Sequence, residues 1–536
     1  MNSQHHQSPW HRFSSLYFRC DTLGLSLDIS RMGLPDHFLD AMHHPLRRAF
    51  DEMADLEAGA LANPDESRMV GHYWLRAPHL SPTPQIRDAI TTTLAQIKSF
   101  AADVHHRRIT APAGLTFNNV LLIGIGGSAL GPQLLADALA LPHDPMRLLV
   151  SDNTDPDGFD RLIDHIGPDL PRTLVLVVSK SGGTRETHNA TIEIRRQLES
   201  ANLDFPPRAV AVTCPGSRLD QQALRENWLK RFPMWDWVGG RTSLTSAVGL
   251  LPAALIGREI DAILAGAAQS DHITRLPDVA KNPAAVLAAA WHHAASTPSP
   301  RHMVLLPYRD RLALLARYLQ QLLMESLGKR SDRSGRTVHQ GLTVFGNKGS
   351  TDQHAFVQQL RDGRNDFFAA FVDVLRDRRP DPFLVEPDAA AGDYLHAFLL
   401  GTRQALHDAN RPSLTITLDE LNERSLAALL ALFERAVGLY ASLINVNAYD
   451  QPGVEAGKKA ADQVIALQQR LLAAMRQRPN HPATAQQWSD LLNTSEGSPV
   501  DPETVFHILT YLSADPIRQI TRHPAANPLD ARFSIG

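Results

Sequence analysis

Four short runs of this chain, Val120–Ile123, Leu148–Val150, Leu174–Val178 and Ala209–Val212, are apolar at every position, and a turn and a helical pattern follow each of the first three. A strand with one wet face alternates apolar and polar residues; one that does not alternate has both faces covered. Such runs, interleaved with helices, predict a parallel sheet sandwiched by helices, a doubly wound α/β domain over residues 105–280. A second pattern of the same kind occupies residues 281–480, with strands expected at His302–Pro307, Leu342–Gly346 and Asp366–Leu375. Its helices are expected at Asp310–Leu327, Ser425–Ile444 and Val454–Arg476. Residues 1–104 read as a helical N-terminal segment, with helices at His44–Leu61 and Thr83–Val104. Residues 481–536 read as a linker and tail with a short helix near Pro502–Leu512. The expected fold class is α/β, two αβα domains between a helical N-terminal segment and a helical tail.

Charge excludes several functions. Basic and acidic residues nearly balance, 53 against 57, so nothing suggests a nucleic-acid or membrane-surface partner. Cys20 and Cys214 are the only cysteines and form no CxxC pair, which fits a reducing compartment. Met1–Trp10 lacks the basic-then-apolar order of a signal peptide. The run Leu244–Ile256 is too short and too interrupted to span a bilayer. A cytoplasmic protein is expected. Its 24 histidines invite a metal reading, but no HExxH or Cys/His spacing occurs, so no metal site is expected.

The chemistry concentrates in six motifs. Gly124-Ile-Gly126-Gly127-Ser128 lies where a strand hands over to a helix, so backbone N–H groups and the Ser128 hydroxyl converge on an anion. Taken alone, it also approaches a dinucleotide fingerprint, with Asp152 about 20 residues on. Ser179-Lys180-Ser181-Gly182-Gly183-Thr184 occupies the next such corner. Packing does not call for that many hydroxyls, whereas a phosphate dianion needs several donors. One helix N-cap accounts for only one of them. Gly239-Gly240-Arg241 presents a permanent cation suited to a developing oxyanion. On the helix Asp310–Leu327, Gln321 and Glu325 lie four residues apart near the C-terminal end, where the dipole raises a carboxylate's pKa toward that of a useful base. Read alone, both Arg241 and Glu325 are more simply solvated surface groups. His354 sits in a polar loop, Gly349–Phe356, and suits a proton shuttle. Gln451-Pro-Gly453-Val-Glu-Ala-Gly457-Lys458 opens a helix with two glycines on one face, open to a close backbone approach.

The ordered set IGIGGSALGP, SKSGGTRET, GGRTS, MESLGK, GSTDQH and QPGVEAGK closely resembles the phosphoglucose isomerase family. The resemblance implies interconversion of glucose 6-phosphate and fructose 6-phosphate through a cis-enediolate, in glycolysis and gluconeogenesis, without a cofactor. It implies that Gly127, Ser128, Ser179, Lys180, Ser181 and Thr184 hold the phosphate, while Gln321 and Gln451 line the sugar. Glu325 would be the base, Arg241 would face the enediolate, and His354 and Lys458 would serve ring opening. It also implies a homodimer in which His354 reaches the partner's site. Two other functions share parts of the pattern: an NAD-dependent oxidoreductase built on the Gly124 turn, and a non-catalytic sugar-phosphate sensor on the same fold. The first leaves the hydroxyl-rich corner unexplained; the second has no need of Glu325, Arg241 and Lys458 together.

Overall fold

A computed structural model describes residues 8–296, 299–377, 383–493 and 499–536. Contacts divide the chain into two compact units, Met1–Asp450 and Gln451–Gly536.

The strands of the first unit, in chain order, begin with β1 (Tyr17–Cys20), β2 (Leu25–Arg31), β3 (Asn119–Ile123), β4 (Arg147–Ser151) and β5 (Thr173–Val178). They continue with β6 (Ala209–Thr213), β7 (Lys230–Pro233), β8 (His302–Pro307), β9 (Lys329–Ser331) and β10 (Thr337–Gln340). The last are β11 (Val344–Phe345), β12 (Phe367–Val374), β13 (Leu384–Glu386), β14 (Ala389–Ala390) and β15 (Ser413–Leu418). One sheet is wholly parallel, in the order β4-β3-β5-β6-β7. Its inner strands β3, β5 and β6 are buried at every position, as their unbroken apolar runs require. The order reverses between β3 and β5. Loops leaving those neighbouring strands therefore diverge to opposite faces and leave a crevice at their carboxyl ends.

The second sheet runs β1-β2-β15-β12-β8-β11. Strands β8, β11, β12 and β15 are parallel, while β2 joins antiparallel to β15 and β1 antiparallel to β2. This corrects the expectation of a helical N-terminal segment. Helices do form at Phe38–Glu57 and Pro84–His105, the latter capped by the Thr83 hydroxyl. Ahead of them, however, residues 17–31 extend the second sheet. Leu25, Leu27 and Ile29 alternate with Ser26, Asp28 and Ser30, a period of two, and the polar side is buried as well. Asp28 is accommodated there by an ion pair with Arg403, from the helix Ala391–Asp408. That helix and β15 are also additions to the sequence-based outline.

The expected helix Asp310–Leu327 is not one regular helix. A 3₁₀ turn, Asp310–Leu312, leads to one α-turn, Leu315–Leu319, and then to a π-helical turn, Gln320–Glu325. Its apolar stripe (Leu312, Leu315, Leu319, Leu322 and Leu323) is fully buried. A π-turn is a costly departure from α geometry that recurs at functional sites, and this one ends on Glu325.

Among the described residues one helix, Glu423–Leu443, is long and apolar enough to cross a membrane, yet 94% of its apolar window is buried inside the protein. It is a core helix, opened by a reciprocal cap between Asn422 and Ser425.

The second unit holds helices Pro452–Arg476, Ala485–Leu492 and Pro502–Ser513 and a small sheet of β16 (Ala483–Thr484), β17 (Ile520–His523) and β18 (Arg532–Ile535), in the order β16-β18-β17. Its own core contains Trp488, Leu509 and Phe533, and the Trp488 indole donates to the Phe533 carbonyl at 3.1 Å.

Candidate active site

The crevice between β3 and β5 is where the predicted residues of the first unit other than His354 gather. The turn after β3 enters left-handed backbone at Gly126, φ +58°, and a side chain there would press on the Gln321 amide, 3.0 Å from a Cβ. Gly127 is more constrained still. A Cβ on it would lie 2.0 Å from the Gly240 carbonyl oxygen, so the first glycine turn and the loop carrying Arg241 are in backbone contact. The Ser128 side chain is half-buried at the end of this turn.

The corner after β5 is organised by its own hydroxyls. Ser179 Oγ accepts from the Gly182 N–H at 3.1 Å and lies 3.4 Å from Thr184 Oγ1; Ser181 Oγ accepts from the Gly183 N–H at 3.1 Å. Gly182 has φ +69°, and its Cα packs on the start of the helix Arg218–Arg225, where a Cβ would meet the Leu219 nitrogen at 2.5 Å. Thr184 is the N-cap residue of the helix Arg185–Ser200, but its side chain makes no capping hydrogen bond. The first-turn N–H groups and the macrodipole of that helix are therefore turned on the corner with no side-chain cap, an arrangement suited to an oxyanion.

Lys180 takes a different direction from its hydroxyl neighbours. Its ammonium donates to the carbonyl oxygens of Asp236 at 2.8 Å and Val238 at 3.0 Å, tying the corner to the segment leading into Arg241. Burial holds its pKa below the usual lysine value.

Arg241 is 8% exposed and fully engaged. Nη1 donates to the Ala448 carbonyl at 2.9 Å and to Ser326 Oγ at 3.1 Å, and Nη2 donates to the Asp450 carbonyl at 2.9 Å. Nη2 also reaches Glu325 Oε1 at 3.3 Å. Burial pushes the guanidinium pKa down, opposed by the charges of Glu325 and Asp450, and it remains a cation at any physiological pH.

Sequence reasoning gave no role to Lys329. Its ammonium, 7% exposed, donates to the carbonyls of Asp450 at 2.9 Å and Glu325 at 3.1 Å and pairs with the Asp450 carboxylate at 2.7 Å. Desolvation lowers its pKa, against the pull of Asp450. The one available signal was its place directly after Gly328, at the end of the segment that carries Glu325.

The structure thus brings together Gly127, Ser128, Arg241, Gln321 and Glu325, with the corner Ser179–Thr184 fastened alongside through Lys180. His354 is exposed at the end of the turn Thr351–His354 and hydrogen-bonds to none of them. Gln451 and Lys458 belong to the second unit, at the N-cap and in the second turn of the helix Pro452–Arg476. A Cβ on Gly453 or Gly457 would meet no described atom within 4 Å, which leaves that face open. Among the described residues no cluster of three His, Cys, Asp or Glu is placed to hold a metal ion.

A parallel sheet with a hydroxyl-rich corner at its switch point, beside a carboxylate and a buried arginine, fits the class of aldose–ketose isomerases that act on phosphorylated sugars. Comparison with known proteins narrows it. The family model described as "Phosphoglucose isomerase" matches residues 29–382 and 396–485. The chain belongs to the phosphoglucose isomerase family. It is 55% identical to the "Glucose-6-phosphate isomerase" of Citrifermentans bemidjiense over 95% of both chains, and 54% identical to that of Geobacter sulfurreducens over 98% of both. Among solved structures, a glucose-6-phosphate isomerase from Chlamydia trachomatis superposes with a TM-score of 0.77 at 27% identity, covering 85% of this chain and 90% of that one. The oxidoreductase and sensor readings find no support in these relatives.

Proposed function

We propose that the chain interconverts glucose 6-phosphate and fructose 6-phosphate by moving a proton between C2 and C1, with Glu325 as the base and Arg241 as the cation facing the enediolate oxygen. The isomerase activity follows from family membership; the residue roles rest on geometry. The observation that carries them is the single 3.3 Å contact between Arg241 Nη2 and Glu325 Oε1. Three further hydrogen bonds fix the guanidinium, so the carboxylate is held beside a cation without being locked in a two-pronged pair.

Abstraction of a proton next to a carbonyl needs such a base and a preorganised positive charge for the oxygen that becomes anionic. The corner Ser179–Thr184, with Gly127 and Ser128, would anchor the phosphate far from the reacting carbons, and Gln321 and Gln451 would line the sugar between. Binding energy taken up at the phosphate then positions C1 and C2 against Glu325.

Ring opening falls to His354 and Lys458. The exposure of His354 supports its service to the site of a second copy of the chain in a homodimer.

The test is proton NMR with fructose 6-phosphate in D₂O. Glucose 6-phosphate carrying deuterium at C2 is expected from the wild type, and none from Glu325→Gln. Unlabelled product from the wild type would fit proton transfer shielded from solvent, so the Glu325→Gln result carries the assignment: normal turnover there would remove Glu325 as the base.

A further inference from the structure

Beneath the phosphate corner a groove of about 270 Å³ runs between the helices Arg185–Ser200 and Arg218–Arg225. Ser179 and Thr184 form part of its wall, His188 and Arg195 line it from the first helix, and Arg218 and Arg225 from the second. None of the lining residues is acidic. Arg195 is neutralised by an ion pair with Glu226. Asp220, the acid nearest Arg218 in sequence, turns away to Arg231 at 2.6 Å and to the Gly216 N–H at 2.8 Å. Among the described residues Arg218 and Arg225 have no ion-pair partner, and both are exposed.

An exposed arginine on a helix is ordinarily a solvated one. Two features set this pair apart. Both residues line a concave surface with no acidic side chain, where the fields of like charges add and concentrate anions. They also lie seven residues apart on one helix face, about 10 Å along the axis. That spacing leaves room for two separate anionic groups, one at each arginine, and suits a molecule with an anionic group at each end. Arginine's planar fork pairs bidentately with phosphate or carboxylate rather than with a simple halide, and the greater charge of a phosphate monoester favours it on this acid-free surface.

We propose that this groove binds a small, extended metabolite with a phosphate at each end, a sugar bisphosphate in chemical class, and that its occupancy alters the phosphate corner. The coupling follows from the shared wall: Ser179, Gly182 and Thr184 border the groove and also shape the corner, and Gly182 packs directly on the start of the arginine-bearing helix. A ligand that changes how this wall sits changes where the anchored phosphate holds C1 and C2 against Glu325, and so kcat as well as substrate affinity; substrate in turn changes ligand affinity by the same binding factor. The coupling rests on the phosphate-corner assignment above; the binding does not.

The experiment uses the full-length protein with fructose 1,6-bisphosphate as probe, at constant ionic strength. Calorimetric titration is performed in a saturating, equilibrated mixture of glucose 6-phosphate and fructose 6-phosphate, so that the catalytic site is filled and no net turnover contributes heat. One bisphosphate per chain is expected to bind under these conditions. The double variant Arg218→Ala/Arg225→Ala should weaken it at least tenfold while keeping wild-type kcat in the absence of probe, and Arg225→Gln alone should give a smaller loss. In wild-type kinetics the probe should change kcat as well as KM, and the double variant should lose the kcat component. Abolition of binding by saturating hexose phosphate, or an unchanged Kd in the double variant, would overturn the site. Equal affinity for inorganic phosphate would overturn the two-ended ligand. Purely competitive inhibition with the extra bisphosphate still bound would refute the coupling alone. Failure of the phosphate-corner assignment would show separately, as an unchanged KM in Thr184→Ala.

Discussion

Arg241 touches Glu325 through one nitrogen only, Nη2 to Oε1 at 3.3 Å, while the Ala448 and Asp450 carbonyls and Ser326 Oγ hold the rest of its fork. The guanidinium is thus aimed by the scaffold rather than by the carboxylate beside it. Glu325→Gln should leave KM within about threefold and lower kcat by roughly 10³-fold or more, since a base matters only in the transition state. Steady-state kinetics in both directions measure this, and a large KM effect with normal kcat would reassign Glu325 to binding.

Arg241→Lys keeps a charge but not the fork. A lysine ammonium cannot reach the Ala448 and Asp450 carbonyls and Ser326 together from one plane, so its position over the enediolate is lost. The expected cost is about 10²–10³ in kcat, in the range found when one oxyanion-stabilising donor is removed. Activity within threefold of wild type would show that position does not matter and would leave only charge.

Thr184→Ala removes a hydroxyl from the phosphate corner without disturbing a helix cap, because the Thr184 side chain makes no capping bond. KM for fructose 6-phosphate should rise about tenfold, the worth of one hydrogen bond to a charged group, with melting temperature nearly unchanged. A lowered melting temperature with unchanged KM would mark Thr184 as structural.

Lys180 separates two meanings of one motif residue. Its ammonium is spent on the Asp236 and Val238 carbonyls, so its side chain acts as a clamp between the phosphate corner and the Arg241 loop. Lys180→Met strands both carbonyls, at a cost of roughly 1–3 kcal/mol, and should lower kcat more than it raises KM. The reverse split, a large KM effect on a stable protein, would mean that the ammonium turns to the phosphate when substrate binds.

The hydroxyl-rich corner was legible in sequence because three hydroxyls, Ser179, Ser181 and Thr184, crowd a strand-to-helix junction with no packing reason. The partnership of Arg241 and Glu325 was not, since residues 84 apart are joined only by the fold. The Asp450 and Ala448 contributions were hidden for another reason: they are backbone carbonyls, which every residue has. Strand β2 advertised itself by the alternation Leu25-Ser-Leu-Asp-Ile-Ser, yet it has polar residues on a buried face, the opposite of what alternation normally marks. The π-turn Gln320–Glu325 has no local signal at all. Its residues are ordinary helix formers, and a tertiary bond from Gln320 Nε2 to the Val344 carbonyl at 3.2 Å is among the contacts that hold it.

A pH dependence of stability is expected away from the site, at His72. Its side chain is 1% exposed, neither ring nitrogen has a partner among the described residues, and the ring lies 3.9 Å from that of Tyr73. Burial, reinforced by the charges of Arg76 and Arg435, holds its pKa well below the ordinary value near 6.5. As pH falls below about 6.5 the unfolded chain takes up a proton that the folded chain refuses, so the unfolded state gains and stability is lost. Above that pH both states are neutral and His72 contributes no slope. One proton corresponds to about 1.4 kcal/mol per pH unit at full effect. His72→Gln removes this group, so wild-type minus variant unfolding free energy should stay nearly flat above about pH 6.5 and fall progressively from there to pH 5, whatever constant penalty the substitution carries. Groups common to both proteins cancel in that difference. Parallel stability curves over this range would mean that His72 is protonated as readily in the folded protein as in the unfolded chain.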